Sequence, residues 1–215
     1  MLDFLDAAQM SSLMKVMAVY MVALISPGPD FAMTMRNSLI YSRRTGFFSA
    51  LGTTAGLSLH LTYTILGMGL LASKAPWALA LMKYVGALWL IFIGYKSLRV
   101  KAASAPQEAF KRVDKDLTRF QAFRLGFFTN ALNPLVILLF IGILAPEIKD
   151  DTPFQMLAVY ASAIMFSGLA WFTLVVVGFS NDLVRGLFHR MGHWLDRLTG
   201  GMIVFFGLKL AFHSL

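Results

Sequence analysis

The chain alternates between long apolar runs and short polar ones. Six apolar segments stand out: Leu13 to Ile40, Gly46 to Ala72, Trp77 to Leu98, Phe123 to Leu144, Phe154 to Phe179, and Leu198 to the C-terminus. A helix rises about 1.5 Å per residue, so a run of roughly 20 apolar residues crosses a hydrocarbon layer of about 30 Å. The pattern therefore predicts an all-α membrane protein with six transmembrane helices. Two of the six are interrupted. The first contains Ile25-Ser26-Pro27-Gly28-Pro29-Asp30, and the fourth contains Asn130, Asn133 and Pro134 near its middle. Proline lacks a backbone N–H and clashes with the preceding turn, so neither run forms one continuous helix. Unwound backbone inside a bilayer is tolerated only where protein covers it or where it lines a wet cavity.

Charge sets the orientation, because short cytoplasmic loops carry the excess of Lys and Arg. The first loop holds Arg43 and Arg44, and the second only Lys74, with Lys83 just inside the next helix. The third is strongly basic, from Arg99 and Lys101 through Lys111, Arg112, Lys115 and Arg119 to Arg124. The fourth, Glu147-Ile148-Lys149-Asp150-Asp151, is acidic, and the fifth has Arg185, Arg190 and Arg197. Basic and non-basic loops alternate, which puts loops one, three and five in the cytoplasm and both termini outside. An even number of spans requires the same. The polar segment 99–122 divides a single transmembrane domain, 1–215, into repeats at about 13–98 and 123–215. Three spans per half is an odd number, so the halves enter the membrane in opposite directions. Each half opens on a broken helix, the pattern of an inverted repeat with its site where the two interruptions meet.

Composition agrees. Of 215 residues, 58% are hydrophobic and 14% charged, against roughly 45–50% and about 25% in soluble domains. The net charge of +8 would suggest nucleic acid on a soluble protein. Here the cations sit between apolar runs, where topology and anionic-lipid contact explain them, and no nucleic-acid partner is expected. With no cysteine, disulfides, thiolate metal sites and thiol redox chemistry are excluded. Met1-Leu2-Asp3-Phe4-Leu5-Asp6 lacks the basic start of a signal peptide, so the first helix is expected to be retained. No P-loop, glycine-rich phosphate loop or HExxH is present, and Ser-Pro-Gly-Pro is not a nucleophile elbow, so no cofactor is expected.

A few polar residues inside the spans are candidates for chemistry. Pro27, Gly28 and Pro29 either kink a helix for packing, or unwind it so that the N-terminus of the next half-helix, Asp30 and Phe31, faces a carboxylate. Asp30 either caps that half-helix or binds a proton or a substrate ammonium. Asn130 and Asn133 share a helix face. Either they hydrogen-bond between helices, or they line a cavity opposite Asp30 with Pro134 and Leu135. Gly52, Gly56 and His60 form a stripe at spacing four. The glycines suit close helix packing, and His60 is either a packing residue or a second proton carrier. His189 and His193 have the i, i+4 spacing of metal ligands but no acidic or cysteine partner, and fall in the fifth loop, so no metal site is expected.

Taken in order, several motifs resemble the LysE/RhtB superfamily of amino-acid exporters. In the first half they are Ser26-Pro27-Gly28-Pro29-Asp30, Gly46-Phe47-Phe48-Ser49-Ala50-Leu51-Gly52, Gly56, His60, Lys83-Tyr84-Val85-Gly86-Ala87 and Gly94-Tyr95-Lys96-Ser97-Leu98-Arg99. In the second half they are Gly126-Phe127-Phe128-Thr129-Asn130-Ala131-Leu132-Asn133-Pro134 and Leu195-Asp196-Arg197-Leu198-Thr199-Gly200-Gly201. The chain departs from the family pattern where Leu135 stands after Asn-Pro, a position at which many members have lysine. The resemblance implies a bacterial inner-membrane exporter of amino acids or similar small zwitterions, driven by proton exchange. The residues at the two breaks give the candidate substrate-binding set, Pro27, Gly28, Pro29, Asp30, Phe31, Asn130, Asn133, Pro134 and Leu135, with Asp30 and His60 as proton-coupling candidates. Small-residue helix faces permit a homodimer without requiring one. Two competing functions stand beside it: a divalent-cation transporter of the same superfamily, and an intramembrane enzyme using Asp30 with His60.

Overall fold

Among the described residues of the computed structural model, the regular structure is eight helices: α1 (Ala7–Ile25), α2 (Pro29–Ile40), α3 (Arg43–Lys74), α4 (Pro76–Leu98), α5 (Arg119–Ala131), α6 (Pro134–Leu144), α7 (Phe154–Gly178) and α8 (Asp182–Phe212). The described residues are 6–26, 28–74, 76–99, 115–144, 146–148, 151–179 and 182–212. For 68–74, 76, 78–80, 82, 83, 93, 134, 182–193, 195 and 196 only the backbone is described. No strand occurs among them. Both predicted interruptions are present. The first run divides into α1 and α2, and the fourth into α5 and α6, which are bent by 58° at the break. Among the described residues, α1 and α7 are long and apolar enough to cross a membrane, and the bent α5–α6 pair makes a third candidate span.

Several boundaries differ from the apolar pattern, each for a local reason. The first helix starts at Ala7 rather than Leu13 because Asp6 and Gln9 form a capping box: the Gln9 N–H donates to Asp6 Oδ1 at 2.7 Å and the Asp6 N–H to Gln9 Oε1 at 3.2 Å. Thr118 and Gln121 repeat the device at α5, so the linker ends at Thr118, not at residue 122. Such reciprocal bonds satisfy donors that the first turn would otherwise leave open. Residues 100–114 of the linker, with Lys101, Lys111 and Arg112, lie outside the described residues, as do Lys149, Asp150 and the side chains of Lys74 and Lys83. The largest correction is at the C-terminal end. Residues 182–197, expected to be a basic loop before the shortest span, belong to α8, whose 31 residues make it one of the longest helices. Leu183, Leu187, Met191 and Leu195 recur every four residues there, a helical period that average hydropathy conceals. His189 and His193 accordingly lie on a helix, with side chains outside the described residues.

The core runs between α1, α3, α6 and α7, where Tyr20, Phe140 and Ile164 are fully enclosed and Tyr20 stacks on Phe140 at 6.0 Å. Outward faces are also apolar: Leu88, Phe166 and Phe205 are 68%, 75% and 61% exposed. Such a surface suits a hydrocarbon solvent better than water.

Glycine sets how closely the helices approach. A Cβ on Gly52 of α3 would stand 2.0 Å from the Phe123 carbonyl oxygen, and one on Gly126 of α5 would stand 2.0 Å from that of Ser49. The α3 and α5 backbones thus touch, and Gly56 brings Asn130 against α3 as well. A second seam joins α4 to α8, where Gly94 and Gly200 each face the other's carbonyl. The glycine stripe on α3 is therefore a packing stripe, and it fixes the position of the α5–α6 break. Gly126→Ala and Gly52→Ala are each expected to destabilise the fold by about 1–3 kcal/mol or more. Gly67→Ala meets nothing within 4 Å and is expected to be neutral. Thermal unfolding in detergent, followed by size-exclusion of the folded fraction, measures the contrast.

Candidate functional site

At the first break, α1 ends at Ser26 in extended conformation, with its N–H on the Val22 carbonyl at 3.3 Å, and α2 starts at Pro29. Proline suits the first helical position, where its missing N–H costs nothing. Pro27 itself lies outside the described residues. The residue capping α2 is Gly28, which makes no side-chain capping bond. Asp30 therefore does not cap its helix, as one sequence reading allowed. Its carboxylate crosses instead to the other half of the molecule.

That crossing joins the two interruptions. Asn130 Nδ2 donates to Asp30 Oδ2 at 3.0 Å, and Asn133 Nδ2 donates to the same oxygen at 3.4 Å. Asn133 also accepts, through Oδ1, from the Leu135 N–H at 3.0 Å. It thus caps α6 while holding Asp30, so the α6 N-terminus is occupied internally.

His60 completes the second break. Pro134 has no N–H for the carbonyl four residues back, which belongs to Asn130. That oxygen instead accepts from the Asn133 N–H at 2.8 Å and pairs with His60 Nε2 at 2.8 Å. A carbonyl only accepts, so Nε2 carries the proton. Nδ1, which faces the Tyr63 hydroxyl, then accepts from it in neutral His60. His60 and Asp30 are linked through Asn130, which holds His60 through its backbone and Asp30 through its side chain.

Between the breaks lies a cavity of about 410 Å³, lined among others by Gly28, Pro29, Asp30, Asn130, Asn133 and Leu135. Small-molecule sites span roughly 300–1,000 Å³. Its far end reaches Lys96 and Ser97 at the C-terminal end of α4. Four buried polar atoms of the lining have no hydrogen-bond partner among the described residues: Asp30 Oδ1, Asn130 Oδ1, the Tyr20 hydroxyl and Trp89 Nε1. A buried polar atom without a partner is costly, and four on residues that line one cavity make it the candidate binding site. The set is mixed: two oxygens accept, the indole N–H donates, and the hydroxyl does either.

The LysE type translocator family profile matches residues 21–214. The chain belongs to the LysE-type translocator family. It is 30% identical over 199 residues to the threonine efflux protein of Escherichia coli K12, covering 91% of this chain and 95% of that protein. Identity is 29% over 201 residues with the threonine efflux protein of Salmonella typhi, with coverage of 91% and 95%. It is 27% over 208 residues with an uncharacterized membrane protein of Bacillus subtilis, with coverage of 93% and 98%. No solved structure matches the chain. A translocator is a membrane transporter and not an enzyme, which removes the reading of Asp30 and His60 as a catalytic pair.

Of the residues singled out in the sequence, this translocator's cavity wall includes Gly28, Pro29, Asp30, Phe31, Asn130, Asn133 and Leu135, and it adds Tyr20, Trp89 and Lys96. Only Trp89 left a signal. Tryptophan favours the membrane–water boundary, and this one sits mid-way along α4. His60→Leu is expected to lower stability by about 1–3 kcal/mol, because the Asn130 carbonyl loses a buried donor. His60→Gln, which keeps an N–H, is expected to cost less. Thermal melts of the two variants in one detergent make the comparison, and equal losses would refute the capping role.

Proposed function

We propose that this translocator exports amino acids or similar small zwitterions from the cytoplasm across the bacterial inner membrane, in exchange for protons. The observation that carries the proposal is the four unpartnered polar atoms around the cavity between the two broken helices. Asp30 Oδ1 and Asn130 Oδ1 receive the substrate ammonium. The Trp89 indole and the Tyr20 hydroxyl donate to its carboxylate, beside the positive end of the α2 dipole. Leu135 gives this end an apolar wall where many relatives have a cation, so Trp89, Tyr20 and the helix end carry the anion together. The efflux named for the Escherichia coli and Salmonella relatives supports the direction and the substrate class.

The same proposal takes the spans as six, arranged as two inverted three-helix repeats, with both termini outside. The α4 end with Lys96 and Ser97 of the lining then lies toward the cytoplasm, where Lys96 attracts the carboxylate of an arriving substrate. Asp30 binds the ammonium on the outward passage and a proton on the return. His60 keeps Asn130 in place and is the second group able to carry a proton. Acyl chains cover the outward apolar faces, and small-residue faces leave room for a homodimer.

Counterflow in proteoliposomes, with a panel of amino acids that includes threonine, tests the site. Asp30→Asn is expected to lose both counterflow and efflux driven by a pH gradient, and Asn133→Ala to lose most counterflow. Full rates in both variants would refute the assignment. Trp89→Phe keeps the ring and removes one donor to a charged group, which is worth about 1.5–3 kcal/mol. Its half-saturation concentration is therefore expected to rise roughly 10- to 100-fold, and an unchanged value would move the carboxylate elsewhere.

A further inference from the structure

A second cavity, of about 720 Å³, lies on the other side of Leu90. Leu90 is 2% exposed and lines both cavities. Three helices pass from one to the other. On α1, Tyr20 and Leu24 face the first cavity, whereas Lys15 and Val19 face the second. On α6 the wall passes from Val136 and Phe140 to Gly142 and Ile143, and on α8 from Ile203 to Phe206 and Lys209. The cavities are therefore consecutive along one axis. Among the described residues Leu90 lines both and separates them, beside the stacked Tyr20–Phe140 pair and Ile203 of the first wall.

The second cavity lies where α1 begins and where α6 and α8 end, away from Lys96. Its wall is mostly apolar but carries both signs of charge, Glu147 with Lys15 and Lys209. Ser12 fixes Glu147 by donating to Oε2, and itself pairs with the Tyr160 hydroxyl on α7. Among the described residues the other oxygen, Oε1, meets Lys15 Nζ at 3.7 Å, with the lysine 58% and the glutamate 17% exposed; so loose a contact is displaced by an arriving ammonium at little cost. Lys209 has no ion-pair partner among the described residues.

We propose that this outer cavity is a second binding site for the exported zwitterion, with Glu147 receiving the ammonium and Lys15 and Lys209 the carboxylate. It rests on the export reading above and adds a two-chamber path to it. Substrate leaves the inner cavity when the Leu90 septum parts, and pauses at Glu147 before release. An acyl chain or lipid headgroup is the competing occupant. It explains the apolar wall and the lysines, but not a carboxylate held by the Ser12 hydroxyl, which Tyr160 in turn holds.

The cysteine-free chain allows a direct test in right-side-out vesicles with a membrane-impermeant maleimide. Val19→Cys is expected to react from outside. Ala23→Cys, one turn along α1 on the inner wall, is expected to react much more slowly until Leu90→Ala opens the septum. External threonine is expected to slow labelling at position 19 several-fold, and to do so equally in an Asp30→Asn background. Glu147→Gln is expected to abolish that protection. If threonine leaves position 19 unprotected while the otherwise unmodified transporter still performs counterflow, the second site is refuted and the export reading stands. If position 19 reacts only after detergent removes lipid, an acyl chain fills the cavity and the proposal is equally refuted. Absence of counterflow for every amino acid tried would instead refute the export reading.

Discussion

A proline inside a membrane helix leaves a carbonyl without its donor, and hydrocarbon offers no water to replace it. This chain has that problem in each half. Pro134 frees the Asn130 carbonyl, and Pro27 and Pro29 free those of Ala23 and Ile25. The second break is mended by His60 and by the Asn133 N–H. The first is held to the second through Asp30, whose one oxygen takes both asparagine amides. The two interruptions are therefore stable as a pair, and the pairing leaves a carboxylate oxygen and an amide oxygen buried without a partner among the described residues, on side chains that line a cavity.

Close helix packing makes that pairing reachable. A side chain as short as Asp30 contacts α5 only if α5 is held tightly, and the backbone contact of α3 with α5 at Gly52 and Gly126 does so. The polar face of α2 adds to it. Asn37 is fully buried and donates to Ser49 of α3 at 2.9 Å. At the charged end of these helices Asp116 ties the linker to the α2–α3 turn, accepting from the hydroxyls of Ser42 and Thr45. Slight desolvation works against ionisation there, but those hydroxyls, the Leu117 N–H and the charge of Arg44 hold its carboxyl below the usual range. The latch therefore stays ionised at neutral pH.

Much of this was legible in the sequence, because apolar runs and prolines report directly on helices and their breaks. Pro29 and Pro134 predicted the interruptions, and the stripe of Gly52, Gly56 and His60 predicted a close helix contact. What escaped was information that hydropathy averages away. Asp6 with Gln9 and Thr118 with Gln121 are readable capping boxes, but an apolar window starts several residues too late to register them. Residues 182–197 looked like a loop because they are charged, whereas their four-residue apolar period is helical. Tyr20 was illegible, and Trp89 legible only as a tryptophan out of its usual place, for a different reason. Nothing in the order of residues says that an indole on α4 and a phenol on α1 share a cavity with Asp30. That is a tertiary fact, as is the bond between Asp30 and Asn130, 100 positions apart.

The most direct measurement uses the absence of native cysteine. Asp30→Cys combined with Asn130→Cys, treated in membranes with a short bifunctional thiol reagent, reports whether the two breaks touch. The structure predicts an intramolecular cross-link in that pair and none in Asp30→Cys combined with Gly67→Cys. Labelling of each single cysteine without any cross-link in the pair would contradict the meeting of the two broken helices.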